Sequence, residues 1–73
     1  MANIVTFDII KHIGVISVNE KNKWQLELNI VSWNGRPGKY DIRNWSPLHD
    51  RCGKGITMTD KEFDELNKIL ANQ

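Results

Sequence analysis

Between Trp33 and Gly55 the chain sets three aromatic residues, Trp33, Tyr40 and Trp45, among the cations Arg36, Lys39, Arg43, Arg51 and Lys54. Single-stranded nucleic acid is bound by this mixture, because exposed bases stack on flat side chains for about 1–3 kcal/mol each while lysine and arginine follow the phosphates. Asn34-Gly35 and Gly53-Lys54-Gly55 add backbone that a ligand can approach closely. Trp33, Asn34, Arg36, Lys39, Tyr40, Arg43, Trp45 and Lys54 are therefore candidate contact residues. Composition alone favours a plainer reading, in which the aromatics form a core and the lysines a solvated face.

Other chemistries fit less well. Lys54 lies between glycines, but a phosphate-binding loop of the Walker type needs a glycine where Leu48 stands and a serine or threonine where Gly55 stands, which argues against nucleotide hydrolysis. His49, Asp50 and Cys52 are neighbours without the spacing of a nucleophile and its base, and are expected to be a loop histidine, a loop carboxylate and a small buried thiol. His12 and His49 lack paired zinc-ligand spacing, and no carboxylate cluster suggests a catalytic metal, so no metal, cofactor or enzymatic activity is expected. The lone Cys52 excludes an intrachain disulfide and suits a reducing compartment. Without a signal stretch or an apolar run near the roughly 20 residues of a membrane span, a cytoplasmic protein with no membrane partner is expected. The sequon Asn44-Trp45-Ser46 then carries no meaning.

The 73 residues allow one domain, spanning 1–73, with a thin core. The formal net charge of +1 argues at first against a polyanion partner, since nucleic-acid binders are expected to be distinctly basic. Its distribution reverses that. Met1 to Met58 holds eight basic and five acidic residues, a net +3, whereas Thr59 to Gln73 holds two basic and four acidic, a net −2. The chain is a basic body with an acidic tail.

The elements that must hold these residues follow from periodicity. Ile4 to Val18 is rich in β-branched residues and reads as a strand, with Phe7, Ile9, Ile13 and Val15 on one face, Ile10 and Ile16 on the other, and a bulge expected near Gly14. Asn19 to Asn22 closes a hairpin into a second strand, 24–33, where Trp24, Leu26, Leu28 and Ile30 alternate with Gln25, Glu27, Asn29 and Val31. That pattern predicts the apolar set buried and the polar set exposed. The turn at Asn34-Gly35 leads to a third strand, 39–45; Ser46 to Gly55 is expected to be a loop, and 55–58 a short fourth strand. Thr59-Asp60-Lys61-Glu62 matches a capping box for a helix over 60–71. Four antiparallel strands followed by one C-terminal helix make an α+β fold. One helix covers one face of such a sheet, and the apolar residues exceed what it shelters, so a homodimer is expected that buries Phe63, Leu66, Ile69 and Leu70.

With these residues in view, Trp33 to Leu70 resembles the transcriptional positive cofactor four family of single-stranded-DNA-binding proteins, and most closely its bacterial YdbC-like branch. The resemblance rests on Trp33-Asn34-Gly35-Arg36, on Tyr40-Asp41-Ile42-Arg43 with Trp45 close behind, and on Lys54-Gly55-Ile56-Thr57-Met58 leading into the Thr59-capped helix. It implies a helix-swapped homodimer whose sheets form grooves for single-stranded DNA. It further implies that Trp33 stacks on bases, that Arg36, Arg43 and Lys54 meet phosphates, and that Trp24 and Gln25, opening the preceding strand, also touch DNA. Gly53 stands where eukaryotic members carry a second cation, which implies weaker phosphate affinity. No disordered regulatory tail matches theirs, so a coactivator role is not carried over.

The expected function is sequence-tolerant binding of single-stranded DNA in transcription regulation or DNA maintenance. Two alternatives stay open: single-stranded RNA as the ligand, because stacking does not distinguish the sugars, and a protein-interaction module for a transcription or repair factor.

Overall fold

Turn chemistry fixes the order of the strands. In the computed structural model, which describes residues 5–73, four strands form one antiparallel sheet in sequential order. They are β1 (Phe7–Val18), β2 (Gln25–Trp33), β3 (Lys39–Trp45) and β4 (Cys52–Met58), followed by α1 (Asp60–Ala71). The expected start of the first strand at Ile4 lies outside the described residues. At the β1–β2 turn the Asn19 side chain accepts from the Lys21 and Asn22 amides, and Lys23 takes a positive φ of 66°. Between β2 and β3, Asn34 (φ 52°) and Gly35 (φ 75°) are both left-handed and the Arg36 amide donates to the Trp33 carbonyl, a tight turn that Asn-Gly favours and that opens the connection 34–38. The Asn34 side chain also accepts from the Thr6 amide at 2.9 Å, tying the segment before β1 to this turn.

β1 carries register shifts at three places, between Ile9 and Lys11, His12 and Gly14, and Val15 and Ser17. The bulge expected near Gly14 is present, and the other two add to the bend it introduces. β4 begins three residues earlier than expected. Ser46 closes the preceding loop at once, its amide donating to the Arg51 carbonyl and its hydroxyl to Asp50. Gly53, which reads as a loop residue, therefore lies within the strand together with Gly55. A Cβ at Gly55 would collide with Arg43 and the Ile42 carbonyl, so this glycine serves close packing against β3.

Thr59 caps α1 as its sequence predicts: its hydroxyl accepts from the Glu62 amide (3.1 Å), and the Glu62 carboxylate accepts from the Thr59 amide (2.9 Å). The helix meets the sheet through Phe63, which stacks on Tyr40 of β3 with ring centroids 3.9 Å apart. Leu66 is half-buried, while Ile69 and Leu70 are exposed. Among the described residues, no helix is long and apolar enough to cross a membrane.

The burial of β2 inverts the expectation from its alternation. Glu27, Asn29 and Val31 are buried, whereas Leu26, Leu28 and Ile30 are only half-buried. Leu28 pairs with Ile42 and Ile30 with Tyr40, so this apolar set shares the face on which the helix sits. The short contact of α1 leaves that face incompletely covered. The opposite face, through Glu27, Asn29, Asp41 and Trp45, is sealed instead by its own aromatic rings and by the loop after β3.

Candidate nucleic-acid interface

On the face away from the helix, Phe7, Trp33, Trp45 and His49 form a continuous ring cluster. Trp45 is central and fully buried, with Phe7 edge-on at 4.9 Å, Trp33 stacked at 6.3 Å and His49 at 5.8 Å. Its indole N–H has no hydrogen-bond partner. The sequence pattern puts Trp45 at the ligand, but with no surface exposed it cannot stack on a base, and it serves as the floor on which Trp33 rests.

Trp33 is half-buried at the end of β2. Its indole N–H donates to Asp41 at 3.3 Å, and the Arg43 guanidinium lies over its ring, 4.5 Å from the centroid. Asp41 is wholly buried and also accepts from Arg43 Nε (2.7 Å) and Nη2 (2.8 Å) and from the Thr57 hydroxyl (2.9 Å). The Asp41 carboxylate holds the Arg43 guanidinium above its ordinary pKa. A third donation, from Arg43 Nη1 to the Gly53 carbonyl, ties β3 to β4. The charge that sequence reasoning offered to a phosphate is thus matched inside the protein.

Beside Trp33 the surface opens into a notch of about 230 Å³ lined by Arg36, Pro37, Lys39 and Thr57 with Trp33 itself. Arg36 follows the Asn34-Gly35 turn and Lys39 opens β3, so the hairpin turn places two exposed cations next to a half-exposed ring. This is the part of the predicted constellation that the fold brings together. Lys54 is exposed on β4, within the irregular stretch of its pairing with β3, and does not line the notch. Tyr40, a candidate contact residue, faces the helix and stacks on Phe63, so strand alternation puts it on the side of the sheet away from Trp33. Trp24 precedes β2, half-buried, with Arg51 at 5.8 Å over its ring. Gln25 lies on the Trp33 face, donating to Glu27 at 2.7 Å, and the side-chain oxygen of Asn34 is engaged by Thr6.

Sequence reasoning missed a second polar centre on this face. Glu27, 1% exposed, accepts from Gln25, from Asn29 (3.1 Å) and from His49 Nε2 (2.8 Å), with His12 Nδ1 3.5 Å away. Burial pushes its carboxyl up, but the hydrogen bonds from Asn29, Gln25 and His49 outweigh that and hold it below the usual carboxylate range. The signal lies in the strand itself: Gln25, Glu27 and Asn29 alternate on one face, and partnered polar groups at alternate positions are as compatible with burial as apolar ones. Among the described residues no group of histidine, cysteine and carboxylate side chains has the arrangement of a metal site.

The family model described as Transcriptional Coactivator p15 (PC4) matches residues 20–69, which take in β2, β3, β4 and most of α1. An uncharacterized protein of Treponema pallidum (strain Nichols) is 45% identical over 64 residues, covering 88% of this chain and 74% of that protein. A match across three of the four strands, the Trp33 turn and the capped helix places this chain in the transcriptional coactivator p15 (PC4) family.

Proposed function

We propose that this chain, acting as one domain, binds single-stranded DNA with little regard to sequence. The observation that carries this reading is the notch at the β2–β3 turn, where the exposed edge of Trp33 adjoins Arg36 and Lys39. A base packed against that edge of the indole would set its flanking phosphates within reach of both cations, and such aromatic contact is sequence-tolerant because every base has a π-face. Membership of a coactivator family supports a nucleic-acid partner and a place in transcription or DNA maintenance.

The working unit in this proposal is a homodimer. Ile56, Ile69 and Leu70 are 53–65% exposed, and α1 borders an open apolar groove of about 570 Å³ that includes Leu66 and Ile69. Apolar surface of that kind on a domain this small is suited to burial against a second copy. Phe63 is engaged by Tyr40 of its own chain, which leaves Leu66, Ile69 and Leu70 as the helix contribution. Sedimentation at micromolar concentration is expected to give twice the chain mass.

Titration with oligothymidine tests the binding. Tryptophan fluorescence is expected to quench, and affinity to fall with salt at a log–log slope of about −0.7 per phosphate neutralised. Absence of binding, or binding indifferent to salt, would refute the proposal. A matched RNA oligomer binding more tightly than DNA would reassign the ligand to RNA.

A further inference from the structure

Glu27 sits uneasily on a face that meets a polyanion. It is ionised and buried, and its ionisable partners among the described residues are two histidines rather than a lysine or arginine. Arg43, directly across on β3, is committed to Asp41. With both imidazoles neutral, the Glu27 centre leaves one negative charge in the middle of the face; with both protonated, it becomes one positive charge.

The hydrogen bonds fix how each imidazole is used. An ionised carboxylate only accepts, so Asn29 presents its NH₂ to Glu27 and turns its Oδ1 toward His12, 2.7 Å from Nδ1. His12 Nδ1 therefore carries a proton, and so does His49 Nε2 facing Glu27. The opposite nitrogens, His12 Nε2 and His49 Nδ1, are left to gain the second proton. Both side chains reach solvent, His12 being 51% and His49 36% exposed. The charged groups around them are otherwise engaged: Asp50 accepts from Ser46, Arg51 lies against Trp24, and Lys11 registers with Ile30 on the helix side. Cys52 of β4 pairs across from Trp45.

We propose that His12 and His49, oriented through Glu27 and Asn29, form a proton-linked phosphate subsite that extends the Trp33 notch across the sheet. The inference rests on the single-strand-binding reading above. A phosphodiester brought to this face favours the imidazolium forms, and Glu27 beneath them compensates the added charge. Binding and proton uptake are then coupled, so affinity is gained as pH falls through the histidine range and lost as it rises. Imidazole is the side chain suited to such coupling near neutrality.

The test is oligothymidine binding between pH 5.5 and 8.5 at fixed ionic strength, a ligand whose bases take up no proton in that range. Affinity is expected to rise roughly tenfold or more from pH 8 to pH 6, one linked proton giving tenfold per unit. The His12→Gln/His49→Gln variant should bind with a flat profile. Calorimetry of the wild-type protein in buffers of differing ionisation enthalpy should register net proton uptake on binding, a readout independent of how the variant folds. Binding without a pH slope, a slope that persists in the variant, or zero proton uptake would each overturn the subsite while leaving the Trp33 notch intact. Failure to bind at any pH would overturn the underlying reading and the subsite with it.

Discussion

Arg43 lies across the indole of Trp33, and both side chains donate to the same buried carboxylate, Asp41. The Trp33 ring is thus held by a neutralised ion pair rather than by a free cation. In the proposed function, phosphate binding therefore falls to Arg36 and Lys39 at the rim, where the charges are exposed.

Removing the negative member of that pair strands a mostly buried guanidinium. Asp41→Asn is expected to cost about 3 kcal/mol, as breaking a buried ion pair does. Adding Arg43→Met should restore part of the loss, because no charge is then left unpaired. Urea unfolding of the wild type and both variants measures this; additive losses would show that the pair is not coupled.

Glu27 predicts the acid response of the fold. Its folded pKa lies below the ordinary 4.5, so the stability it contributes is fully present above that value and is lost as pH falls through the folded value. Glu27→Gln should be less stable than the wild type at pH 7, and the gap should narrow toward pH 3. Urea midpoints at the two pH values decide it, and a gap independent of pH would contradict the assignment.

Gly55 is a packing glycine. Gly55→Ala places a methyl group against Arg43 and the Ile42 carbonyl, and overpacking of that kind costs about 1–3 kcal/mol. Gly14 sits in a β1 bulge with open space where its side chain would be, so Gly14→Ala should be nearly silent. Thermal unfolding of the two variants side by side checks the contrast.

The α+β order, the Asn34-Gly35 turn and the Thr59 cap are legible in the sequence because each depends on local chemistry. The site is legible only in part. Trp33, Arg36 and Lys39 converge because the Asn34-Gly35 turn folds the short connection 34–38 back from the end of β2 to the start of β3, a relation the sequence does carry. Strand parity alone separates Tyr40 from Arg43, three residues on, and joins Arg43 to Asp41, two residues back. What the sequence hides is which β2 face is sealed: the Trp45 cluster covers Glu27 and Asn29 through long-range packing, while the helix meets only part of the apolar side. The loop reading of Gly53 fails for a related reason, since β3 pairs alongside it.

The most direct measurement is the salt dependence of oligothymidine binding by the Arg36→Gln/Lys39→Gln variant beside the wild type. If the notch is where the strand lies, affinity falls and the log–log slope becomes shallower by about 0.7 for each phosphate that the variant no longer neutralises. An unchanged slope and affinity in a folded variant would contradict the account and place the nucleic acid elsewhere.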